Sequence, residues 1–459
     1  MESRKLTGGA ERTRLTRPPT RPIFGGMTDT LSRPPTPGLL DELAWRGLLY
    51  QHTEGAAEHL AAGPVRAYCG FDATGPSLHV GHLLPILGLV RLQRAGHRPV
   101  ALVGGGTGMI GDPSGKSAER QLITREAVEA NAAAIGAQLA RFLDFEGAHA
   151  ALLVNNVEWL APLGTLDFLR DVGKHFSVNV MLSRESVKTR LETGISYTEF
   201  SYMLLQAYDF VQLHRRHGVT MQVGGSDQWG NMTAGTELLR RMDGAQAHVL
   251  TFPLLTRADG TKFGKTAEGQ SVWLDPARTS PYAFYQFWIN ADDRDVGKLL
   301  RFFTFLPRAA VEALDAATAA EPHRRAAQQA LAEEVTTLVH GAEAARVARE
   351  VSTLLFAKGD PRALSPAALE ALGAEIPSSR VARPDDGLGA LDVAELFATA
   401  GLARSKGEAR RLLEQGGLSV SGRKLSAGER TIAEGDLLAG GHLLLRKGAR
   451  DYALVRVEG

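Results

Sequence analysis

A single cysteine, Cys69, stands in a chain of 459 residues. That excludes a disulfide framework and any cysteine-built zinc site, and it suits a reducing cytoplasm. No uninterrupted apolar run approaches the roughly 20 residues of a membrane span, so no membrane partner is expected. Charge of one sign is missing too, since 52 Lys plus Arg face 51 Asp plus Glu. Any RNA contact must therefore come from a local patch and not from a global field. No repeat recurs at a period of about 20 to 50 residues, which removes solenoids and propellers. What remains is ordinary globular composition, 44% apolar and 22% charged, in a length that allows several domains.

Residues 1–36 are rich in Arg, Pro and Thr and have almost no apolar spacing, which predicts a disordered extension. Met27 offers a second start within it; an organelle-targeting peptide is the alternative, and the prolines argue against its helix. A Rossmann-type parallel α/β domain is expected over 37–278. Strand patterns at Val65–Phe71, Arg98–Gly104, Ala151–Val154 and Met221–Gly225 alternate there with helical ones such as Leu39–Leu49 and Arg125–Phe145, and glycines fall at strand ends. A helical insertion with exposed apolar residues interrupts the rhythm at about 155–200. Residues 279–360 read as an α-helical domain, 361–388 as a Pro-, Ser- and Ala-rich linker, and 389–459 as a small α+β unit.

The central stretch is Tyr68 to His82, YCGFDATGPSLHVGH, a buried strand that breaks at a turn and opens a helix. His79 and His82 then share one face near the positive helix end, where an anion is favoured, and Gly81 between them leaves room for a flat group. The glycine-rich run 104–120 ends in Lys116 and Arg120 on one helical face, with Asp112 as a turn carboxylate. Ile110 stands where a phosphate-loop motif requires glycine, so the P-loop NTPase reading fails. On the helix Glu199–Phe210, Tyr202, Gln206 and Asp209 trace a polar stripe suited to an amino-acid ligand. Asp227 and Gln228 lie just past a strand end, where an acid can accept ribose hydroxyls. Lys262 and Lys265 ride on a glycine-rich loop, 258–268, that suits a polyphosphate. Each block alone has a plain alternative: a solvated basic face, a core helix, a helix N-cap, a soluble turn.

Taken in order, these blocks resemble bacterial tyrosyl-tRNA synthetases, a branch of the class I aminoacyl-tRNA synthetases. HVGH (79–82) looks like the HIGH signature and KFGKT (262–266) like KMSKS, with Thr266 last; YCGFDAT, GDPSGK, SYMLLQAYDF and GGSDQWGN are similar to the branch's other blocks. The resemblance implies a tyrosine–tRNA ligase that uses ATP, with Mg²⁺ bound through the ATP phosphates, and charges tRNA(Tyr). It implies that Tyr68 and Asp209 hold the substrate phenol and that Asp112, Tyr202 and Gln206 hold its ammonium, with Gln228 near its carboxyl group. His79, His82 and Thr74 would contact the triphosphate, and Gly81 the adenine. Cys69, Gly225 and Asp227 would lie by the ribose, with Gly70 and Asp72 on the same ATP side. Lys116, Arg120, Lys262, Lys265 and Thr266 would hold the departing pyrophosphate.

Near the C-terminus, Arg404, Lys406, Arg410, Arg411, Arg423 and Lys424 cluster against Glu408 and Glu414, a patch suited to phosphates of structured RNA. That unit resembles an S4 RNA-binding domain. On family grounds the segment 279–360 would help to read the anticodon stem, and the insertion would form a homodimer interface. Rival readings are a tryptophanyl enzyme, a synthetase-derived protein that binds RNA without charging it, and a generic Rossmann nucleotide module.

Overall fold

Arg66–Asp72 forms the strand around which the larger sheet is built. In the computed structural model, which describes residues 38–458 apart from 115–122, 192–193, 262, 265–268 and 358, this sheet has six strands. They are β1 (Gln51–His52), β2 (Arg66–Asp72), β3 (Arg98–Gly104), β4 (Leu152–Asn155), β5 (Met221–Gly225) and β6 (His248–Phe252). Their order is β1-β6-β5-β2-β3-β4; β1 runs antiparallel and the others are parallel. The expected Rossmann-type parallel sheet is therefore present. The order in which successive strands are added reverses between β2 and β5, and in such sheets the crevice at that switch, beyond the carboxyl ends, is where ligands sit.

Helices on both sides explain why the strands are nearly all apolar. β3 is buried from Pro99 to Gly104, and β6 throughout. The helix Val80–Arg94 leaves β2 directly and buries Leu83, Leu87 and Leu89. Ser196 caps the long helix Tyr197–His217 by accepting the Glu199 N–H, and Gly218, with φ of 65°, ends it. That helix packs on the helix Trp229–Asp243 and brings Met203, Ala207, Phe210 and Val211 into a core shared with Tyr68, Val100 and Leu102. Between β4 and the long helix, short helical turns occupy the expected insertion. They leave Leu166, Val178 and Val180 more than half exposed, at 82%, 58% and 52%.

The described chain forms two compact bodies. The first runs to Arg278 and also takes in Asp292–Ala316; the second holds Thr279–Ala291 and the residues from Ala317 on. In the second body, the helices Pro281–Ile289, Ala326–His340 and Ala342–Ala357 precede a five-stranded sheet. Its strands are β7 (Ser378–Ala382), β8 (Leu418–Val420), β9 (Arg423–Lys424), β10 (His442–Lys447) and β11 (Asp451–Glu458), in the order β7-β11-β10-β8-β9.

The stretch 361–388 is not a linker. Pro366–Glu375 is a helix that buries Ala368, Leu369 and Leu372 with Val351, Leu444 and Leu454, and β7 pairs in parallel with β11. Its Ser and Pro are helix-start residues: Ser365 accepts the Ala368 N–H as N-cap, and Pro366 takes the first helical position.

Candidate active site

Both histidines of HVGH build the cap of the helix they begin. His79 Nδ1 accepts the Gly81 N–H at 3.0 Å, and His82 Nδ1 accepts the His79 N–H at 3.2 Å. The pair does the work of Ser and Glu in an ordinary capping box. A ring nitrogen that accepts carries no proton, so each imidazole is neutral with its hydrogen on Nε2. The rings lie 4.0 Å apart. A Cβ on Gly81 would stand 2.8 Å from the His79 ring, so the nearest demand for glycine here is the cap itself.

Tyr68, at 0% exposure, lies on β2 in edge-to-face contact with Phe210, ring centroids 5.1 Å apart. Its hydroxyl is buried and has no hydrogen-bond partner among the described residues. Asp209 is 2% exposed, one turn back from Leu213 on the long helix. Trp159 Nε1 donates to its Oδ1 at 2.7 Å and Asn156 Nδ2 to its Oδ2 at 2.9 Å. Burial pushes the Asp209 carboxyl up to about 7, against the pull of those two bonds and with the Asp72 charge adding to the rise. Burial first, then the Asp209 charge, hold the Tyr68 phenol well above its ordinary range, so it remains a neutral donor.

A polar chain ties this pocket floor to the end of β2. Asn156 Nδ2 also donates to Thr107 Oγ1 at 2.8 Å, Thr107 donates to Asp72 Oδ1 at 2.7 Å, and Tyr202 donates to Asp72 Oδ2 at 2.9 Å. The stripe of Tyr202, Gln206 and Asp209 thus turns inward, not to solvent. Asp72, expected on the ATP side, is joined to Tyr202 and the Asp209 network. Beside them, Gln228 Nε2 donates to Asp112 Oδ2 at 2.6 Å, and Asn231 Nδ2 donates to Gln228 Oε1 at 3.2 Å. Two more buried acceptors lack a partner among the described residues, the Oε1 atoms of Gln206 and Gln222. Gln222 pairs with Tyr68 across the parallel strands and so shares its face.

In the glycine-rich turn after β3, two amides are taken by side chains of the protein itself. Asn155 Oδ1 takes the Gly105 N–H at 3.2 Å and Asn156 Oδ1 the Gly106 N–H at 2.7 Å. Cys69 and Gly70 follow Tyr68 on β2; burial pushes the Cys69 thiol up to about 12, so it is unreactive. Thr74 is half-buried in the turn before HVGH, and Asp227 is exposed just past Gly225 at the end of β5.

Two sequence families cover most of the chain. Residues 60–357 match the family described as tRNA synthetases class I (W and Y), and residues 369–455 match a tyrosine–tRNA ligase SYY-like C-terminal domain. A tyrosine–tRNA ligase of Anaeromyxobacter dehalogenans strain 2CP-1 is 56% identical over 420 residues, which span 92% of this chain and 99% of that protein. The chain belongs to the class I W and Y tRNA synthetases. Another relative, the tyrosine–tRNA ligase of Geobacillus stearothermophilus, is 51% identical over 91% of this chain and 99% of its own. Among solved structures, a C-terminally truncated mitochondrial tyrosyl-tRNA synthetase of Aspergillus nidulans superposes with a TM-score of 0.64 at 30% identity. It covers 70% of this chain and 95% of its own length.

Within this synthetase fold, Lys116, Arg120, Lys262, Lys265 and Thr266 lie outside the described residues. The structure brings together Tyr68, Asp72, Asp112, Tyr202, Asp209 and Gln228. Sequence reasoning missed Thr107, Asn156, Trp159 and Gln222. The first three follow the carboxyl ends of β3 and β4, which is the positional signal that could have found them. In the second body, Arg404, Lys406, Arg410, Arg411 and Lys424 are exposed around the helix Lys406–Glu414, with Lys406 3.1 Å from Glu395. Arg423 differs. Asp436, 1% exposed, takes two of its hydrogen bonds at 2.8 and 2.6 Å, and Glu429 lies 2.8 Å away. Its side chain is 36% exposed, and its charge is paired with Asp436 and Glu429.

Proposed function

We infer that this chain is a tyrosine–tRNA ligase: it joins L-tyrosine to AMP with release of pyrophosphate, then passes tyrosine to the 3′-terminal ribose of tRNA(Tyr). The observation that carries the amino-acid choice is the buried Tyr68 hydroxyl, without a partner among the described residues, near the buried Asp209 carboxylate. A substrate phenol oxygen can accept from Tyr68 while its hydrogen goes to Asp209. Asn156 and Trp159 fix that carboxylate. Phenylalanine leaves the Tyr68 hydroxyl without a partner in a dry site and offers Asp209 no hydrogen, a penalty of about 10⁴ to 10⁵ in rate, a magnitude known from this enzyme family itself.

Asp112, Tyr202 and Gln206 would hold the ammonium and Gln228 the region of the carboxyl group. Attack of that carboxylate on the α-phosphorus needs no strong base. It needs two anions held together and the leaving pyrophosphate stabilised. The neutral His79 and His82 rings, with their Nε2 hydrogens, suit hydrogen bonding to phosphate oxygens without themselves needing a counter-charge. Thr74 would join them, Gly81 would lie by the adenine, and Cys69, Gly70, Gly225 and Asp227 by the ribose. Lys116, Arg120, Lys262, Lys265 and Thr266 would supply the cations for the pyrophosphate. Magnesium would arrive on the ATP, held through its phosphate oxygens.

The exposed Leu166, Val178 and Val180 support a homodimer through the insertion. Arg404, Lys406, Arg410, Arg411 and Lys424 support tRNA binding through an S4-like unit, and the cytoplasm is where this translation step would run. ATP–pyrophosphate exchange, assayed with each of the twenty amino acids, tests the reading: tyrosine alone should support exchange, and a flat response to tyrosine ends it.

A further inference from the structure

The helix Asp293–Phe303 falls in a stretch of sequence expected to belong to the helical domain, yet it folds with the Rossmann-type body. We propose that this helix is a strut that holds the described backbone at 255–258 and 263–264 against the HVGH helix, with Asp295 and Lys298 as positioning residues for the use of ATP. The inference rests on the ligase reading above.

Near its start, Asp295, 7% exposed, accepts the Ala258 N–H through Oδ2 at 3.0 Å. One turn on, Lys298 Nζ donates to the Thr256 carbonyl at 2.7 Å. Two side chains three apart on one helix face therefore grip the backbone that enters the loop. At the helix end, Phe303 is fully buried and stacks on Phe263 of KFGKT, ring centroids 6.0 Å apart and 19° from parallel.

The other attachment is to the HVGH helix. Arg91, on the far end of that helix, donates through Nη2 to the carbonyls of Phe302 and Thr304, each at 3.0 Å. Arg46 adds bonds to Arg301 at 3.0 Å, Thr304 at 3.1 Å and Leu306 at 2.8 Å. Two buried guanidiniums thus bond carbonyls at and just past the strut's C-terminus, where a positive charge is favoured.

The outgoing limb of the loop meets the start of the same HVGH helix. Phe263 N–H donates to Leu255 at 3.2 Å, Val272 N–H to Gly264 at 3.2 Å, and Val80 N–H to Val272 at 3.0 Å. Gly264 has φ of 107°, and a Cβ there would lie 3.3 Å from Val80 Cγ2. Both ends of the loop's described backbone are therefore referred to one helix pair. A displacement of about 1 Å at such a site can cost about 10²-fold in rate, so the anchor at Asp295 should be felt in the ATP half-reaction.

The test uses the full chain and its Asp295→Ala, Asp295→Asn and Lys298→Ala variants in ATP–pyrophosphate exchange, with tyrosine binding measured separately by equilibrium dialysis. Asp295→Ala should lower kcat/KM for ATP by about tenfold while the tyrosine Kd stays within about twofold. Asp295→Asn keeps an oxygen for the Ala258 N–H and should recover most of the activity; Lys298→Ala should show a smaller loss, again for ATP alone. The inference is overturned by an unchanged kcat/KM for ATP in Asp295→Ala, by an equal loss of tyrosine affinity, or by an Asp295→Asn variant as impaired as Asp295→Ala. If Asp295→Ala does not fold, Lys298→Ala decides, an ATP-specific loss supporting the strut and a normal ATP response removing it. Failure of the unaltered chain to exchange with tyrosine would instead remove the ligase reading.

Discussion

Replacing Tyr68 by Phe should move stability and function in opposite directions. The Tyr68 hydroxyl is fully buried and has no partner among the described residues, so the free protein carries the desolvation cost of a polar group with no return bond. Such an unsatisfied group costs about 1 to 3 kcal/mol. The phenyl ring keeps the edge-to-face contact with Phe210, and only a small void is left. Stability should therefore hold or rise by about 1 kcal/mol. With tyrosine bound, the same hydroxyl donates to the substrate phenol, and losing one neutral hydrogen bond of about 0.5 to 1.5 kcal/mol lowers kcat/KM for tyrosine by about 2- to 13-fold. Phenylalanine, which never made that bond, should be activated no worse, so discrimination falls by the same factor. Urea denaturation of the ligand-free protein and pyrophosphate exchange with both amino acids read the two sides. A clear loss of stability in the ligand-free variant would mean that the hydroxyl is already bonded there, and the reasoning would fail.

Asp209 gives a pH signature. Its folded-state pKa of about 7 lies above the ordinary 3.8, so the folded protein binds this proton more tightly than the unfolded chain. Stability from this group is then present at low pH and is lost as pH rises toward 7, by at most a few kcal/mol. Asp209→Asn should flatten that limb between about pH 4 and 7 in urea midpoints, whereas parallel curves for the two proteins would refute the assignment. At His79, Asn can still cap the helix and Ala cannot, so His79→Ala should cost about 1 kcal/mol more stability than His79→Asn. Both should slow pyrophosphate exchange, and equal stabilities would remove the capping role. Arg423→Ala leaves the buried Asp436 without its ion-pair partner and should destabilise the C-terminal body by about 1.5 to 3 kcal/mol in thermal or urea unfolding. Arg410→Ala, at an exposed position, should leave stability unchanged and reduce the salt slope of tRNA binding by about 1; the reverse pattern would relocate the RNA face.

The strands that position the site were plain in the sequence because β2, β3 and β5 are apolar runs bounded by turn residues. β6, HVLTF, is equally buried but has no glycine at its end and runs on into Pro253, Leu254 and Leu255, and it went unread. The helix Asp293–Phe303 was legible as a helix, whereas its allegiance was not, since Asp295 and Arg91 act through partners 37 and more than 200 residues away. Composition misled at 361–388, where Ser and Pro start a helix instead of loosening a chain. Charge counting did not show that Arg423 is ion-paired, because proximity of basic residues in sequence says nothing about a buried Asp436. The histidines were recognised as ligands for an anion; that they also cap their own helix depends on ring orientation, which spacing alone does not set. Asn156 and Trp159 carry no motif of their own, and only their place after β4 connects them to Asp209.

The account stands most directly on the ratio of kcat/KM for tyrosine to that for phenylalanine in pyrophosphate exchange by the unaltered enzyme. A ratio of about 10⁴ or more is expected from two buried polar groups that only a phenol satisfies. A ratio near one, or exchange supported by tryptophan and not by tyrosine, would contradict the roles given to Tyr68 and Asp209.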